Sequence, residues 1–358
     1  MATLSRPRKK PEPPRIDDAP GRGRAIALGA SAGGVEALTR IVRDLPPTLD
    51  APILVVLHVP PTAVSRLPEI LARAGGLPAG HARHGESPRS GRIYVAPPDR
   101  HMIVTDGRLV LIEGPHENGV RPAADPLFRS AAAWYRHRLL GAVLSGTLDD
   151  GTAGLAAVRA KGGVTAAQAP GDAIAPGMPS SVIENVGVDY VLPANEMGSL
   201  LTAFVAGTVR APSHTPTDSG AGSQPIDLVC PECGGVLRQF VENNLVRFHC
   251  RVGHTYSTET LYAAQDGRLE AALWAAIRSL EDSASLSRRL AATARERGSP
   301  LTARKYEDRE REAAERADVV RSALLALTPL DETPPEGEAP PVAADAGNRD
   351  LDAVETAG

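Results

Sequence analysis

Ala25-Ile26-Ala27-Leu28-Gly29-Ala30-Ser31-Ala32-Gly33-Gly34 decides how this chain folds. An apolar run, Ala25–Leu28, meets a G-x-S-x-G pentapeptide, Gly29–Gly33. A helical pattern marked by Val35, Leu38, Ile41 and Val42 follows. That order reads as strand, sharp turn and helix, the context a nucleophile elbow requires. The turn lifts the Ser31 hydroxyl clear of a sheet, and its small neighbours let a substrate come close. The helix start beyond it offers unpaired N–H groups to a developing oxyanion. The segment lacks the Lys of a phosphate-binding loop and the G-x-G-x-x-G spacing of a dinucleotide site.

Outward from this turn, further apolar runs recur at Ile53–Leu57, Ile93–Ala96, Leu140–Leu144, Val164–Ala167 and Tyr190–Leu192. Most are continuously apolar rather than alternating, as strands buried on both faces are. Helical patterns lie between several of them, including Pro126–Arg136 and Thr152–Lys161. The expected fold is therefore α/β: a doubly wound, mostly parallel sheet with helices on both faces. Asp106-Gly107, between Met102–Thr105 and Arg108–Ile112, adds a hairpin.

The chain has 358 residues, 42% of them hydrophobic but only 3% aromatic, so its core must rest on Ala, Val, Leu and Ile. A net charge of −4 argues against a general polyanion binder. No apolar stretch is long enough to span a bilayer, and the basic, Pro-rich start carries no secretory signal. A cytoplasmic location is expected. Six segments follow from composition: a disordered arm (1–23), a first folded unit (24–208) and a Pro/Ser/Thr-rich linker (209–226). A cysteine-bearing module (227–256), a helical hairpin (257–328) and a disordered acidic tail (329–358) complete it. In the hairpin, Leu269, Leu273, Ile277 and Leu280 mark one helix. Tyr306, Ala313, Ala317, Val320, Leu324 and Leu327 mark the other, across Gly298-Ser299-Pro300.

An activated serine needs a base, and the base needs an orienting carboxylate. His58 ends the second apolar run, on the sheet rim where Ser31 sits. The loop Leu144-Ser145-Gly146-Thr147-Leu148-Asp149-Asp150-Gly151 leaves another buried strand and offers two adjacent carboxylates. Asp149 and Asp150 are not separable by local physics, since either could serve as a helix cap. His101 reads as a structural rim residue, and Arg129, Arg136 and Arg138 as a solvated face.

Together these segments resemble the catalytic domain of CheB-type protein-glutamate methylesterases, the chemotaxis receptor methylesterases. Gly29–Gly34 is similar to that family's nucleophile segment, and Leu57-His58-Val59-Pro60 to its histidine segment. Leu144–Gly151 is similar to its L-T-G-M-G-x-D-G loop, and this alignment selects Asp150. Tyr94–Met102, Asp125–Ala132 and Pro176–Pro179 extend the likeness, which covers residues 24–208. The resemblance implies Ser31 as nucleophile, His58 as base and Asp150 as orienter, with the N–H groups near Ala32 and Gly33 as candidate oxyanion donors. Their expected substrate is a glutamate γ-methyl ester on a chemoreceptor, with glutamine deamidation as a related reaction. No catalytic cofactor is expected. The chain departs from the pattern at Ala32, Leu57, Thr147 and Leu148, where the family favours Thr, Gln, Met and Gly. Family members often carry an N-terminal receiver domain, for which about 23 residues before the first strand are too few. A receiver-less enzyme is the expectation. A serine esterase of the same fold acting on another ester, and a non-catalytic signalling scaffold, are the alternatives.

Cys230-Pro231-Glu232-Cys233 and Cys250-Arg251-Val252-Gly253-His254 use every cysteine of the chain. They read as the two knuckles of a zinc ribbon. Val236–Val241 and Leu245–Phe248 form the hairpin between them. The proposed ligands are Cys230, Cys233, Cys250 and His254, with His249 as a rival for the fourth place. Four filled positions make such a zinc structural rather than catalytic. The module lacks a dense basic patch, so a protein partner, such as a receptor, a receptor methyltransferase or another chemosensory protein, is expected rather than nucleic acid.

Overall fold

The apolar runs become strands buried on both faces. The computed structural model describes residues 23–211 and 222–326. Its strands are β1 (Ala25–Ala30), β2 (Ile53–Leu57), β3 (Ala79–His81), β4 (Ile93–Val95), β5 (His101–Thr105), β6 (Arg108–Ile112), β7 (Leu139–Val143), β8 (Val164–Gln168) and β9 (Tyr190–Leu192). Seven of them form one parallel sheet in the order β3-β4-β2-β1-β7-β8-β9, while β5 and β6 pair as the expected separate hairpin. The helices are α1 (Gly34–Arg43), α2 (Leu67–Ala74), α3 (Ala124–Tyr135), α4 (Thr152–Ala160), α5 (Gly177–Val186) and α6 (Ala194–Val205).

Alternation along β1 divides the core. Ile26 and Leu28 pack with Leu38 and Ile41 of α1, Leu71 of α2 and Phe204 of α6. Ala25 and Ala27 face the other way, toward Phe128 of α3, Leu155 of α4 and Val182 of α5. The helices thus cover both faces of the sheet, as the continuously apolar strands require.

Three details differ from the sequence reading. Strand β3 is short, contains Gly80 and lies at the sheet edge, so it carries no hydrophobic signature. Val35, counted on the apolar face of α1, is 40% exposed one turn beyond Ser31. Helix α3 begins at Ala124, ahead of the expected Pro126, because a carboxylate from a distant loop caps its first N–H groups.

The cysteine-bearing segment folds as a four-stranded antiparallel sheet: β10 (Gln224–Val229), β11 (Val236–Glu242), β12 (Leu245–Cys250) and β13 (Thr255–Tyr256). Asn243 and Asn244 both adopt positive φ, as a tight two-residue hairpin demands. Strand β10 starts inside the expected 209–226 linker. Residues 212–221 of that linker, the arm up to residue 22, Leu327 and the 329–358 tail lie outside the described residues.

Two long helices follow, α7 (Thr258–Glu296) and α8 (Pro300–Ala326). The described residues divide into two units, with the boundary between Arg268 and Leu269. The ribbon therefore belongs with the parallel sheet, where composition suggested a separate module. In the second unit, Ile277, Ala284 and Ala291 of α7 and Ala303, Ala313 and Ala317 of α8 are buried. Ion pairs Arg288–Glu310 and Arg321–Glu281 tie the two helices. Among the described residues, no helix is long and apolar enough to cross a membrane.

Candidate active site

Ser31, His58 and Asp150 leave the carboxyl ends of β1, β2 and β7, three neighbouring strands at the centre of the sheet. The Ser31 N–H donates to the Ser145 carbonyl at 2.9 Å, and its own carbonyl accepts from Gly34 at 2.9 Å. The His58 N–H donates to the Ala30 carbonyl at 3.1 Å, which fixes the histidine beside the residue that precedes the serine. The turn needs glycine at position 33, where φ is +75° and a Cβ would stand 2.5 Å from Ser145 Oγ. Gly146 is equally constrained, because a Cβ there would stand 2.9 Å from the Ser31 Cβ.

Asp150 is buried and accepts from four donors. His58 Nε2 lies 2.7 Å from Oδ2, and the Ala124 N–H donates to the same oxygen at 2.6 Å. Asn118 Nδ2 donates to Oδ1 at 2.8 Å, and the Asp125 N–H at 3.3 Å. Burial alone would raise this carboxyl. The hydrogen bond and charge of His58, with the Ala124 and Asn118 donors, outweigh it and hold the group down at about 2. An ionised Asp150 fixes the proton of His58 on Nε2 and leaves Nδ1 as the ring nitrogen that can take a proton from a hydroxyl.

Asp149 has a different environment. Its Oδ1 accepts from Ser257 Oγ at 2.8 Å, away from His58. Burial pushes its carboxyl up to about 7; Ser257 acts against this and the Glu259 and Asp125 charges add to it. A folded-state value raised above the ordinary 3.8 means that the folded chain holds a proton the unfolded chain has released. Stability then falls as pH rises from about 4 through about 7, by a few kcal/mol in all. Asp149→Asn keeps the bond to Ser257 and removes this loss. Its gain in Tm over the wild type should be larger at pH 8 than at pH 4.5, and equal gains at both would refute the assignment.

Among the described residues, no protein group accepts from the Ala32 or Gly33 N–H, while the Ala32 carbonyl is held by Ser145 Oγ at 2.7 Å. Anchoring that carbonyl turns the N–H of the same peptide, that of Gly33, the opposite way, as a donor to an oxyanion must be turned. Leu148 occupies the left-handed region with φ of 58° and is 40% exposed. A leucine pays for that conformation by about 1–2 kcal/mol. Leu148→Gly should stabilise the fold by about 1 kcal/mol, measured by denaturant unfolding; destabilisation would show that the leucine side chain has packing of its own.

Three supporting residues had no role assigned to them from the sequence. Ser145 holds the elbow from below, Asn118 hands one N–H to Asp150 and one to Asp125, and Asp125 accepts from Gly151 and Gly154 at the start of α4. Only the Asn-Gly pair at 118–119 hinted at a turn. His101 is buried, accepts from the Ala123 N–H and bonds the Pro115 carbonyl, so it is structural; burial lowers its basicity, against the pull of that carbonyl. Arg129 is not the solvated residue expected, because it pairs with Glu117 at 2.6 Å.

The ribbon reaches this site. Arg247 of β12 pairs with Asp125 at 2.8 Å, and the Asn118 N–H donates to the Thr255 carbonyl of β13 at 2.8 Å. Cys230, Cys233, Cys250 and His254 bring one ligand atom each to within 4.8 Å of one another. His254 Nδ1 lies 3.5 Å from Cys230 Sγ and 3.5 Å from Cys250 Sγ, and the Cys233 and Cys250 sulfurs are 3.6 Å apart. Bonds of about 2.3 Å to sulfur and about 2.0 Å to nitrogen give tetrahedral edges of roughly 3.5–3.8 Å, so the set fits zinc. Glu232 lies 3.0 Å from His254 Nε2, where a carboxylate would orient a ligating imidazole. His249 is outside this set and lies against Phe240.

Residues 26–201 match the family model of the CheB methylesterase. A protein-glutamate methylesterase/protein-glutamine glutaminase of Anaeromyxobacter dehalogenans is 38% identical over 186 residues, covering 51% of this chain and 54% of that one. One from Symbiobacterium thermophilum is 37% identical over 183 residues, covering 51% of each. The chain thus spans about half the length of the curated relatives it matches. The solved CheB methylesterase catalytic domain of Thermotoga maritima is 35% identical, with a TM-score of 0.49, over 50% of this chain and 97% of that one.

Proposed function

We propose that this chain, whose residues 26–201 match the CheB methylesterase family model, hydrolyses glutamate γ-methyl esters on chemoreceptors and deamidates receptor glutamines at the same site. The observation that carries the reading is the 2.7 Å bond between His58 and a buried, ionised Asp150, on the rim that holds Ser31. Ser31 Oγ attacks the ester carbonyl while its proton passes to His58 Nδ1. The resulting oxyanion is met by the N–H groups of Ala32 and Gly33. Collapse expels the methoxy group, which takes the proton from His58 and leaves as methanol. Water then gives a proton to His58, attacks the acyl-enzyme and releases glutamate, and the proton returns to Ser31. With glutamine the leaving group is ammonia.

A structural zinc held by Cys230, Cys233, Cys250 and His254 belongs to this reading; when bound it cross-links the two knuckles and offers no open position. The substrate is the cytoplasmic part of a chemoreceptor, which sets the enzyme in the cytoplasm, and the C-terminal helices are a surface for a receptor methyltransferase or another chemosensory protein.

One observation favours a second reading, a serine esterase for another ester: Leu148, with an exposed side chain, stands in the motif that carries Asp150 where the resembled family has glycine. Methylated receptor membranes separate the two. Methanol release by the wild type and none by Ser31→Ala supports the methylesterase. Hydrolysis of small esters with no methanol from receptors supports the second reading.

A further inference from the structure

Two helices of the catalytic face exchange carboxylates. Asp150, just before α4, accepts from the Ala124 and Asp125 N–H groups that open α3. Asp125, in α3, accepts through Oδ1 from the Gly151 and Gly154 N–H groups that open α4, at 3.1 and 2.7 Å. Each helix start is closed by an acid from the other, so Asp150 is only as well placed as Asp125. Two neighbouring buried carboxylates repel each other and need a cation.

That cation comes from the ribbon, 122 residues away in sequence. Arg247 is 2% exposed; its Nη1 lies 2.8 Å from Asp125 Oδ2, and its Nη2 3.8 Å from Glu117 Oε2. Asn118 joins the same Asp125 oxygen to Asp150, and the Thr260 hydroxyl of α7, 3.4 Å from Asn118 Oδ1, points the amide N–H groups at the acids.

We infer that Arg247 is a positioning residue of the esterase: it holds Asp125, and through Asp125 and Asn118 it fixes Asp150 behind His58, so that the ribbon completes the active site. This rests on the reading of Ser31, His58 and Asp150 given under Proposed function. The charged and titratable groups around the His58–Asp150 pair are Asp125 and Arg129 of α3, Glu117 and Arg121 before it, His101 of β5, Asp149, Arg247 and Glu259 of α7. Carboxylates outnumber arginines in that set, and Arg247 is the cation bonded to the capping acid. Its loss leaves a more negative field that favours a protonated imidazole.

The test uses the full chain and a fluorophosphonate that labels Ser31, followed from pH 5 to 9. In Arg247→Met the labelling rate per folded chain should fall roughly tenfold or more. Its acid limb should move up by about half a pH unit or more, and adding Asp125→Asn should return it. A purely structural arginine would lower the fraction that labels and leave both rate and limb in place, which overturns the inference. Should Arg247→Met fail to fold by circular dichroism, the neutral pair Arg247→Met/Asp125→Asn decides. A tenfold lower rate supports the inference, and a wild-type rate overturns it. Wild-type protein that labels at Ser31 yet releases no methanol from receptors defeats the functional reading and leaves this comparison standing. Wild-type protein that does not label at Ser31 defeats both.

Discussion

Asp150→Asn lowers turnover roughly ten-thousand-fold while the fold survives, the size of effect expected when the orienting acid of a Ser-His-Asp triad becomes an amide. All four groups that face the Asp150 carboxylate are donors: His58, Asn118 and the N–H groups of Ala124 and Asp125. An asparagine must turn its own NH₂ toward one of them. Facing His58, it accepts nothing from Nε2 and drives the imidazole proton to Nδ1, where no lone pair remains for the Ser31 proton. Facing the helix start or Asn118, it leaves a buried donor unpaired and shifts the side chain. Asp149→Asn, one residue away, should leave turnover unchanged, because that carboxyl bonds Ser257. Measured side by side, equal losses in the two variants would show that the roles of the adjacent acids are misassigned.

Metal removal should have the second large effect. Purified chain should hold about one zinc, and stripping it should cost binding energy on the order of 10 kcal/mol, since a ribbon of this size folds around its metal. The sulfurs of Cys230 and Cys250 are buried, and His254 Nδ1 lies 3.5 Å from each. A Cys230→Ala/Cys250→Ala variant should lose the metal and show an early thermal transition. Arg247, Thr255 and Ser257 all belong to this part of the chain and all bond to groups around Asp150. Esterase activity should therefore fall with the metal although no ligand lies in the triad. Protein purified without chelator that contains no zinc, or a double-cysteine variant that retains it, would contradict the assignment.

The parallel sheet was legible because burial on both faces leaves continuous apolar runs, and Ser31, His58 and the Asp149-Asp150 pair were legible because each sits where such a run stops. The choice between the two acids was not local physics: it needed a family motif, and the structure shows why, since the difference lies in partners as distant as His58 and Ser257. Asn118, Asp125 and Arg247 were illegible for the same reason. Each is an ordinary polar residue in its own neighbourhood and acquires meaning only across 32, 26 or 122 residues of chain. Composition marked the ribbon as a module after a linker, but a Pro/Ser/Thr-rich linker says how a segment is tethered and nothing about where it docks. Val35 failed in the opposite sense, matching the helical period yet standing at the open end of α1, where the sheet no longer covers it.

The strand order has a further consequence, for the chain as it is made. Strand β1 is flanked by β2 and β7 and carries Ser31 at its end. Its β7 partner is translated about 110 residues later, which at ordinary elongation rates is roughly 5–20 seconds. For that interval β1 has one open edge and an uncovered apolar flank of Ala25, Ala27 and Gly29. Small side chains there expose little sticky surface to the ribosome-bound chain. The same economy of size that lets Phe128 pack close in the finished sheet thus leaves the nascent strand little apolar surface on that face.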